Sequence, residues 1–427
     1  MKDLVLIVDD EPGILTTLGQ ILADEGYEVA STPSGEEALR LYQKLRPVAV
    51  FLDVWLPDRD GLETLQALRA MDPDAAIIMM SGHGQATTAV RSIKLGAHDY
   101  LEKPLSLGRV VDTLRSALEV RSGSAGSLLD PSPASEPARV FSPPPLLPIV
   151  RSTQVPQRTI RSAFVIYGLG LHSGSRTGLV LQALPPDSGI HFVTLPAGVQ
   201  IPAHLTSVGD TEYATTLRGG GEEIRTIEHL LATLHAAGIT NLLVKVHGEI
   251  PVLDGSALEF CQRIEEIGIE DQGVPRREVV IDKPYELPLK GDKRMRIEPS
   301  DCLEVTYHLR YPPPIGEQLY SFRLTGFDAF QAQIAPARTF GFLRDLPMIK
   351  ELGLGSGGRL DNFILVGEDN VVNTTLRFPD EFVRHKILDI IGDLYLLGYP
   401  LRGRVSAAFT GHRDNVALQR LLVAASV

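Results

Sequence analysis

LVLIVDD, Leu4–Asp10, is an unbroken apolar run that ends in two acids. A short run with no polar alternation reads as a strand buried on both faces. Beyond it, Ile14, Leu15, Leu18, Ile21 and Leu22 recur at helical spacing, and Gly26 closes that segment. The alternation continues outward. VAVFLD (Val48–Asp53), AIIMMS (Ala76–Ser81) and HDYLEK (His98–Lys103) read as further strands, with helices over Glu36–Leu45, Gly61–Met71, Thr87–Gly96 and Leu107–Val120. Such a pattern predicts an α/β fold, a doubly wound parallel sheet with helices on both faces and a crevice at the carboxyl ends of its strands. Those ends carry Asp9, Asp10, Asp53, Ser81 and Lys103. Carboxylates converging on one crevice repel one another unless a divalent cation sits among them, and an all-oxygen set suits Mg²⁺. A carboxylate beside such an ion can attack a phosphoryl donor, with a lysine and a hydroxyl holding the phosphoryl oxygens.

From Ser122 to Val155 Pro, Ser, Gly and Ala dominate, and the run Pro143-Pro144-Pro145 cannot join a helix or a sheet interior. This reads as a linker, partly extended where the prolines cluster. The 427 residues leave room for two or three domains, so a boundary here is expected. With 44% hydrophobic and 22% charged residues the chain is neither disordered nor a disulfide-stapled scaffold, and Cys261 and Cys302 fit a reducing compartment. A net charge of −12 argues against broad contact with nucleic acid. No apolar run reaches transmembrane length, and Met1-Lys2-Asp3 has no signal-peptide shape. A cytoplasmic, acidic, multidomain protein is the expectation.

After the linker two segments carry chemistry. TIEHL (Thr226–Leu230) opens the helical run TIEHLLATLHAAG, with Glu228 and His229 adjacent. In DEFVRHKILDIIGDLYLLG (Asp380–Gly398), His385, Asp389 and Asp393 follow at four-residue intervals, roughly one helix face. An HxxxD pair alone is more often a solvated ion pair. With a distant third ligand, His385 and Asp389 would supply three protein ligands and leave a fourth position open, the pattern of catalytic zinc, and Glu228 could serve as base. Fe²⁺ could occupy the same two histidines and one carboxylate.

Residues 1–121 resemble a response-regulator receiver domain of the nitrogen-regulation activator type, through VDDE (Val8–Glu11), LDVWLPDRDG (Leu52–Gly61), MSGHG (Met80–Gly84) and DYLEKP (Asp99–Pro104). The resemblance implies a flavodoxin-like fold, Asp53 as phosphoacceptor, and Asp9, Asp10 and Asp53 around Mg²⁺. It further implies Ser81 and Tyr100 as switch residues, Lys103 as phosphate contact, a histidine kinase or small phosphodonor as partner, and a receiver-mediated homodimer. Those activators continue into an ATPase with a GxxxxGK[ST] loop, and no such string occurs here. The output is something else.

The stretch from Gln157 to the C-terminus resembles the zinc-dependent UDP-3-O-acyl-N-acetylglucosamine deacetylase of lipid A biosynthesis. GLGLHSG (Gly168–Gly174), TIEHL, PVLDGSA (Pro251–Ala257), IAPARTFGF (Ile334–Phe342), GLGSGGRLDN (Gly353–Asn362), RFPDEFVRHKILDIIGDL (Arg377–Leu394) and TGH (Thr410–His412) stand in the family's order. The resemblance implies His229, His385 and Asp389 as zinc ligands and Glu228 as general base. Thr339 would hydrogen-bond the oxyanion, and His412, held by Asp393, would be the acid for the leaving amine. Lys386, Phe340 and His172 would contact substrate. It implies two α+β sandwich domains, 156–275 and 276–427, following the linker at 122–155, with an acyl passage around 342–366. Leu343, Leu346, Ile349 and Leu352 within that insert read equally well as a helix core face. Family members often have a lysine three residues before the histidine of TGH, where this chain has Phe409. The alternative to a receiver-controlled deacetylase is a non-catalytic sugar-nucleotide sensor on the same fold, which would show losses among Glu228, His229, His385, Asp389 and His412. None is missing.

Overall fold

The computed structural model describes residues 2–81, 91–103, 105, 107–122, 141, 143–145 and 149–425. They group into two compact units: Met1–Val140 with Ser162–Tyr167 and Arg176–Val180, and the remainder from Phe141 to Val427.

In the first unit, β1 (Leu4–Val8), β2 (Glu28–Thr32), β3 (Ala49–Asp53), β4 (Ala76–Ser81) and β5 (Asp99–Glu102) form one sheet in the order β2-β1-β3-β4-β5. Every pairing is parallel, with Val5 opposite both Val29 and Ala49, and Phe51 opposite Ile78. Helices α1 (Pro12–Asp24), α2 (Gly35–Leu45), α3 (Gly61–Met71) and α4 (Leu107–Ser122) accompany it. Two hydrophobic clusters flank the sheet. Val5, Ile7, Phe51 and Ile78 pack with α1 and α4, while the alternate residues Leu6, Val8, Val50 and Leu52 pack with α2 and α3. This is the doubly wound expectation, since a parallel sheet must be covered on both sides. Ser34 caps α2 by accepting from Glu37 N, and Asp60 caps α3 by accepting from Leu62 N. Strand β2 has no apolar run to announce it: EVAST lies at the sheet edge, with only Thr32 buried. Of the helix expected over Thr87–Gly96, residues 91–94 are helical; residues 82–90 and Pro104 lie outside the described residues.

The second part of the chain holds β6 (Val150–Ile160), β7 (Phe164–Leu169), β8 (Arg176–Ala183), β9 (Ile190–Thr194), β10 (Gln200–Pro202), β11 (Leu217–Gly219), β12 (Glu222–Ile224) and β13 (Leu242–Val246), with α5 (Glu228–Ala237) and α6 (Leu258–Ile267). It continues through β14 (Ile269–Val280), β15 (Tyr285–Glu286), β16 (Arg294–Glu298), β17 (Leu303–Arg310), β18 (Glu317–Arg323), β19 (Phe340–Phe342), β20 (Ile364–Val366) and β21 (Leu401–Ala408), with α7 (Phe327–Gln333), α8 (Leu346–Glu351), α9 (Glu381–Leu394) and α10 (His412–Ala425). One sheet runs β10-β9-β13-β8-β7. A seven-stranded sheet runs β15-β16-β21-β14-β6, with β17 and β18 joined through β21. All ten residues of α5 are buried, and α9 exposes almost nothing. Helices apolar on every side belong in an interior, and both contribute to the cluster that covers β14, β16, β17 and β21. Strand β14 passes without a break through Gln272–Arg277, shifting its register against β6 on either side of Pro275. The proline-rich segment ends against this unit: the Tyr399 hydroxyl donates to Pro144 O at 2.7 Å, and the Phe141 ring meets His191 edge-on at 5.1 Å. Residues 123–140 lie outside the described residues. No helix among the described residues is long and apolar enough to cross a membrane.

Candidate functional site

The ends of β1, β3 and β4 bring Asp9, Asp53 and Ser81 into one crevice, all at most 3% exposed, with Asp10 exposed at its rim. Asp9, Asp10 and Asp53 each offer an oxygen within 4.8 Å of the others. Lys103, just past β5, reaches in with Nζ 2.7 Å from Asp53 Oδ2, 2.8 Å from Asp9 Oδ2 and 3.4 Å from Glu11 Oε1. Burial pushes Asp9 up to about 7 and Asp53 upward, against the pull of Lys103. Concentrated carboxylate, with Lys103 as its cation among the described residues, suits a hard dication. The Tyr100 hydroxyl is buried without a partner among the described residues. The lysine contact from Glu11 was not assigned from sequence, where that residue reads as a loop acid beside the pair.

The second site lies where α5 and α9 cross. A Cβ on Gly392 would collide with the Glu228 carbonyl, so glycine there lets the two helices close. That approach brings His229 to His385 and Asp389, whose ligand atoms lie within 4.8 Å of one another. The His385 Nδ1–H faces Ala337 O at 3.0 Å, which leaves Nε2 for a metal, 3.5 Å from Asp389 Oδ1. His229 Nε2 is 3.9 Å from the same oxygen. Burial lowers His229 to about 3 and also lowers His385, so both imidazoles are neutral, the form that ligates. Asp389 Oδ2 is held by Lys386 Nζ at 2.8 Å; burial would raise this acid, but the Lys386 ammonium outweighs it and keeps it ionised. The Lys386 ammonium is thus engaged with the candidate ligand acid, 5.8 Å from the Phe340 ring centroid.

Glu228, Thr339, Phe340, His172 and His412 line the same cavity, of about 240 Å³. Burial pushes the Glu228 carboxyl up to about 8, and its Oε2 accepts from Thr215 N at 3.2 Å. His412 Nδ1 is 2.7 Å from Asp393 Oδ2. Burial alone would lower His412, yet Asp393 and Asp389 push it up to about 9. Asp393 is fully buried and fully engaged, taking hydrogen bonds from Thr215 Oγ1 at 2.6 Å and Asn415 Nδ2 at 2.8 Å as well. His172 is 8% exposed and neither ring nitrogen has a partner among the described residues.

Several supports escaped the sequence reading. Glu249 accepts from the backbone N–H of His172 and Ser173 and from the Thr226 hydroxyl, tying the loop after β7 to the start of α5. Glu381, 0% exposed, accepts from Arg338 N and Nε and fixes the segment carrying Thr339 and Phe340 to the first turn of α9. In sequence Glu381 reads simply as a first-turn acid. The helix-core reading of Leu343, Leu346, Ile349 and Leu352 fails: no residue of α8 is buried, and Leu343 and Leu352 are about half exposed. The segment is too short to bury a face, and Ile349 borders the cavity instead. Phe409 takes φ 58° and carries the Arg310 guanidinium 4.5 Å over its ring.

Two neutral imidazoles and a carboxylate beside an acid and a charged histidine suit the centre of a metal-dependent hydrolase. The model of the UDP-3-O-acyl N-acetylglycosamine deacetylase family matches residues 157–424, and that of the response regulator receiver domain matches residues 5–115. Proteins named UDP-3-O-acyl-N-acetylglucosamine deacetylase from Anaeromyxobacter dehalogenans (strain 2CP-C) and Anaeromyxobacter sp. (strain Fw109-5) are each 43% identical over 271 residues, 63% of this chain and 87% and 88% of their own. The solved receiver domain of NtrX from Brucella abortus is 39% identical, covering 27% of this chain and 98% of its own at a TM-score of 0.26. The chain belongs to the UDP-3-O-acyl N-acetylglycosamine deacetylase family, with a receiver domain fused ahead of the enzyme.

Proposed function

We propose that this chain removes the N-acetyl group of UDP-3-O-acyl-N-acetylglucosamine for lipid A synthesis, through zinc held by His229, His385 and Asp389, under control of phosphorylation at Asp53. The observation that supports it is the convergence of that ligand set with Glu228 and the His412–Asp393 pair in one cavity. The donors fit: two neutral imidazole nitrogens and one carboxylate oxygen are a catalytic zinc set with a fourth position free, and Fe²⁺ accepts the same donors. Such an ion supplies Lewis-acid activation of water and of the amide carbonyl.

The residues supply the rest. Glu228 takes a proton from the attacking water as the new C–O bond forms. The Thr339 hydroxyl donates to the carbonyl oxygen as it gains charge. His412, protonated and oriented by Asp393, gives its proton to the amine nitrogen as the C–N bond breaks, releasing acetate and the free 2-amino sugar nucleotide. The exposed apolar residues of 342–366 suit an acyl chain, and His172 and Phe340 border the sugar. With phenylalanine at position 409, the nucleotide phosphates would take their cation from elsewhere, Arg413 or Lys386. In the receiver, an Asp53 oxygen attacks the phosphorus of a phosphodonor and the donor's own bond to phosphorus breaks. Asp9 and Asp10 would hold Mg²⁺, and Lys103 would move from carboxylate to phosphoryl oxygen. We place the protein in the cytoplasm, with domain limits near residues 121, 155 and 275.

Acetate release from UDP-3-O-acyl-N-acetylglucosamine, measured on the full chain stripped of metal and then restored with zinc, tests the reaction. Turnover is expected only with zinc and is lost in Glu228→Ala. A folded, zinc-loaded chain that releases no acetate, with or without a phosphodonor, overturns it.

A further inference from the structure

Thr215, in the loop just before β11, is fully buried and touches both Glu228 and the His412–Asp393 pair. Its backbone N–H donates to Glu228 Oε2 at 3.2 Å, and its hydroxyl donates to Asp393 Oδ1 at 2.6 Å. The same hydroxyl oxygen lies 3.3 Å from His412 Nδ1. Its carbonyl accepts at 3.4 Å from the backbone N–H of Ile227, the residue ahead of Glu228. One threonine thus ties together the start of α5, the start of α10 and the last turn of α9.

How the oxygens are shared gives this contact its consequence. A carboxylate can turn about its Cβ–Cγ bond and offer either oxygen to a neighbouring imidazole. On Asp393, Oδ1 takes the Thr215 hydroxyl, while Oδ2 takes Asn415 Nδ2 at 2.8 Å and faces His412 Nδ1 at 2.7 Å. With each oxygen assigned the carboxylate plane is set, and His412 turns Nε2 toward the candidate ligands, 4.0 Å from Asp389 Oδ2. A branched β-carbon restricts the Thr215 side chain to few rotamers, so its hydroxyl is aimed by the backbone that carries it. That backbone also holds Glu228. A threonine hydroxyl often bonds a backbone group close by in sequence, whereas this one reaches a carboxylate 178 residues away.

We propose that Thr215 is a positioning residue for the hydrolysis: its hydroxyl holds the Asp393 carboxylate so that His412 faces the substrate nitrogen, and its backbone keeps that pair in register with Glu228. This rests on the deacetylation reading, in which Glu228 and His412 act on the same amide. Thr215 acts only through these neighbours.

Thr215→Val keeps the shape and the backbone N–H and removes the hydroxyl. In acetate release by the zinc-loaded full chain, Thr215→Val is expected to lower kcat about ten-fold, the loss of one hydrogen bond to a charged group, with KM unchanged. Thr215→Ser restores the hydroxyl and is expected to recover most of that loss. Zinc content is expected to be the same in the wild type and both variants. A second readout needs no substrate: the low-field proton resonance of His412 Nδ1–H, identified by its loss in His412→Gln, is expected to move in Thr215→Val and to stay in Thr215→Ser. Should the valine variant fail to fold, Thr215→Ala gives the same comparison. Equal kcat per folded, zinc-loaded chain in wild type and Thr215→Val overturns the proposal. So does a serine variant as slow as the valine one, or a resonance indifferent to the hydroxyl. A folded, zinc-loaded wild type that releases no acetate overturns the deacetylation reading instead, and the resonance then decides whether Thr215 holds the pair.

Discussion

The two candidate pockets of this chain use similar kinds of side chain and balance their charge in opposite ways. Each sets a lysine against a carboxylate that belongs to a candidate ligand trio. In the receiver, Lys103 is the cation that faces Asp9 and Asp53 at hydrogen-bond distance among the described residues, with Glu11 close by and Asp10 at the rim. In the deacetylase, Lys386 pairs one to one with Asp389, and the other two members are imidazoles that burial keeps neutral. A surplus of carboxylate oxygen suits a hard dication, whereas a charge-balanced set with two neutral imidazoles suits a borderline-soft ion.

The comparison breaks most visibly at Asp389. Asp389→Ala removes a ligand and leaves the Lys386 ammonium buried without its partner. Turnover is expected to fall about 10³-fold or more, with loss of one equivalent of zinc by elemental analysis and an unchanged effect of Mg²⁺ on the fluorescence of Trp55, the exposed side chain two residues from Asp53. Retained zinc would show that balanced charge does not define this site. Asp393→Ala should cost less, about 10²-fold in turnover, because it frees His412 while leaving the three ligands in place. Zinc content separates the roles, since loss of metal here would move Asp393 into the ligand set.

The smallest effect concerns acid. His235 is fully enclosed in the second unit, its Nδ1 facing Ile391 O at 2.9 Å and its Nε2 accepting from Leu401 N at 3.3 Å. Burial holds it near 4, below its ordinary 6.5. Between those values the unfolded chain binds a proton that the folded chain refuses. Stability is therefore whole above pH 6.5 and lost as pH falls toward 4, by roughly 2 kcal/mol between pH 6.5 and 5. Denaturant melts at the two pH values, with His235→Gln as control, measure it; a pH-independent midpoint for the second unit would contradict this burial.

Local periodicity made much of this legible. β1, β3 and β4 are continuous apolar runs because they lie inside a parallel sheet, and the spacing of His385, Asp389 and Asp393 shows one face of α9 without any partner. Strand β2 did not show itself, because an edge strand keeps polar residues among its apolar ones. Glu249 and Glu381 did not either, since each acts through backbone N–H groups far away in sequence, a contact that leaves no pattern of residue types.

By itself the sequence determined the α/β fold of the receiver and the family of the enzyme, and it named the candidate ligand trios, because each rests on short-range periodicity or on motifs whose chemistry requires particular side chains. Only the tertiary structure decided that Lys386 neutralises Asp389, that α8 buries nothing and that Thr215 joins Glu228 to Asp393. Those are facts of which surfaces meet. A threonine reads the same in sequence whether its hydroxyl meets water or a buried carboxylate.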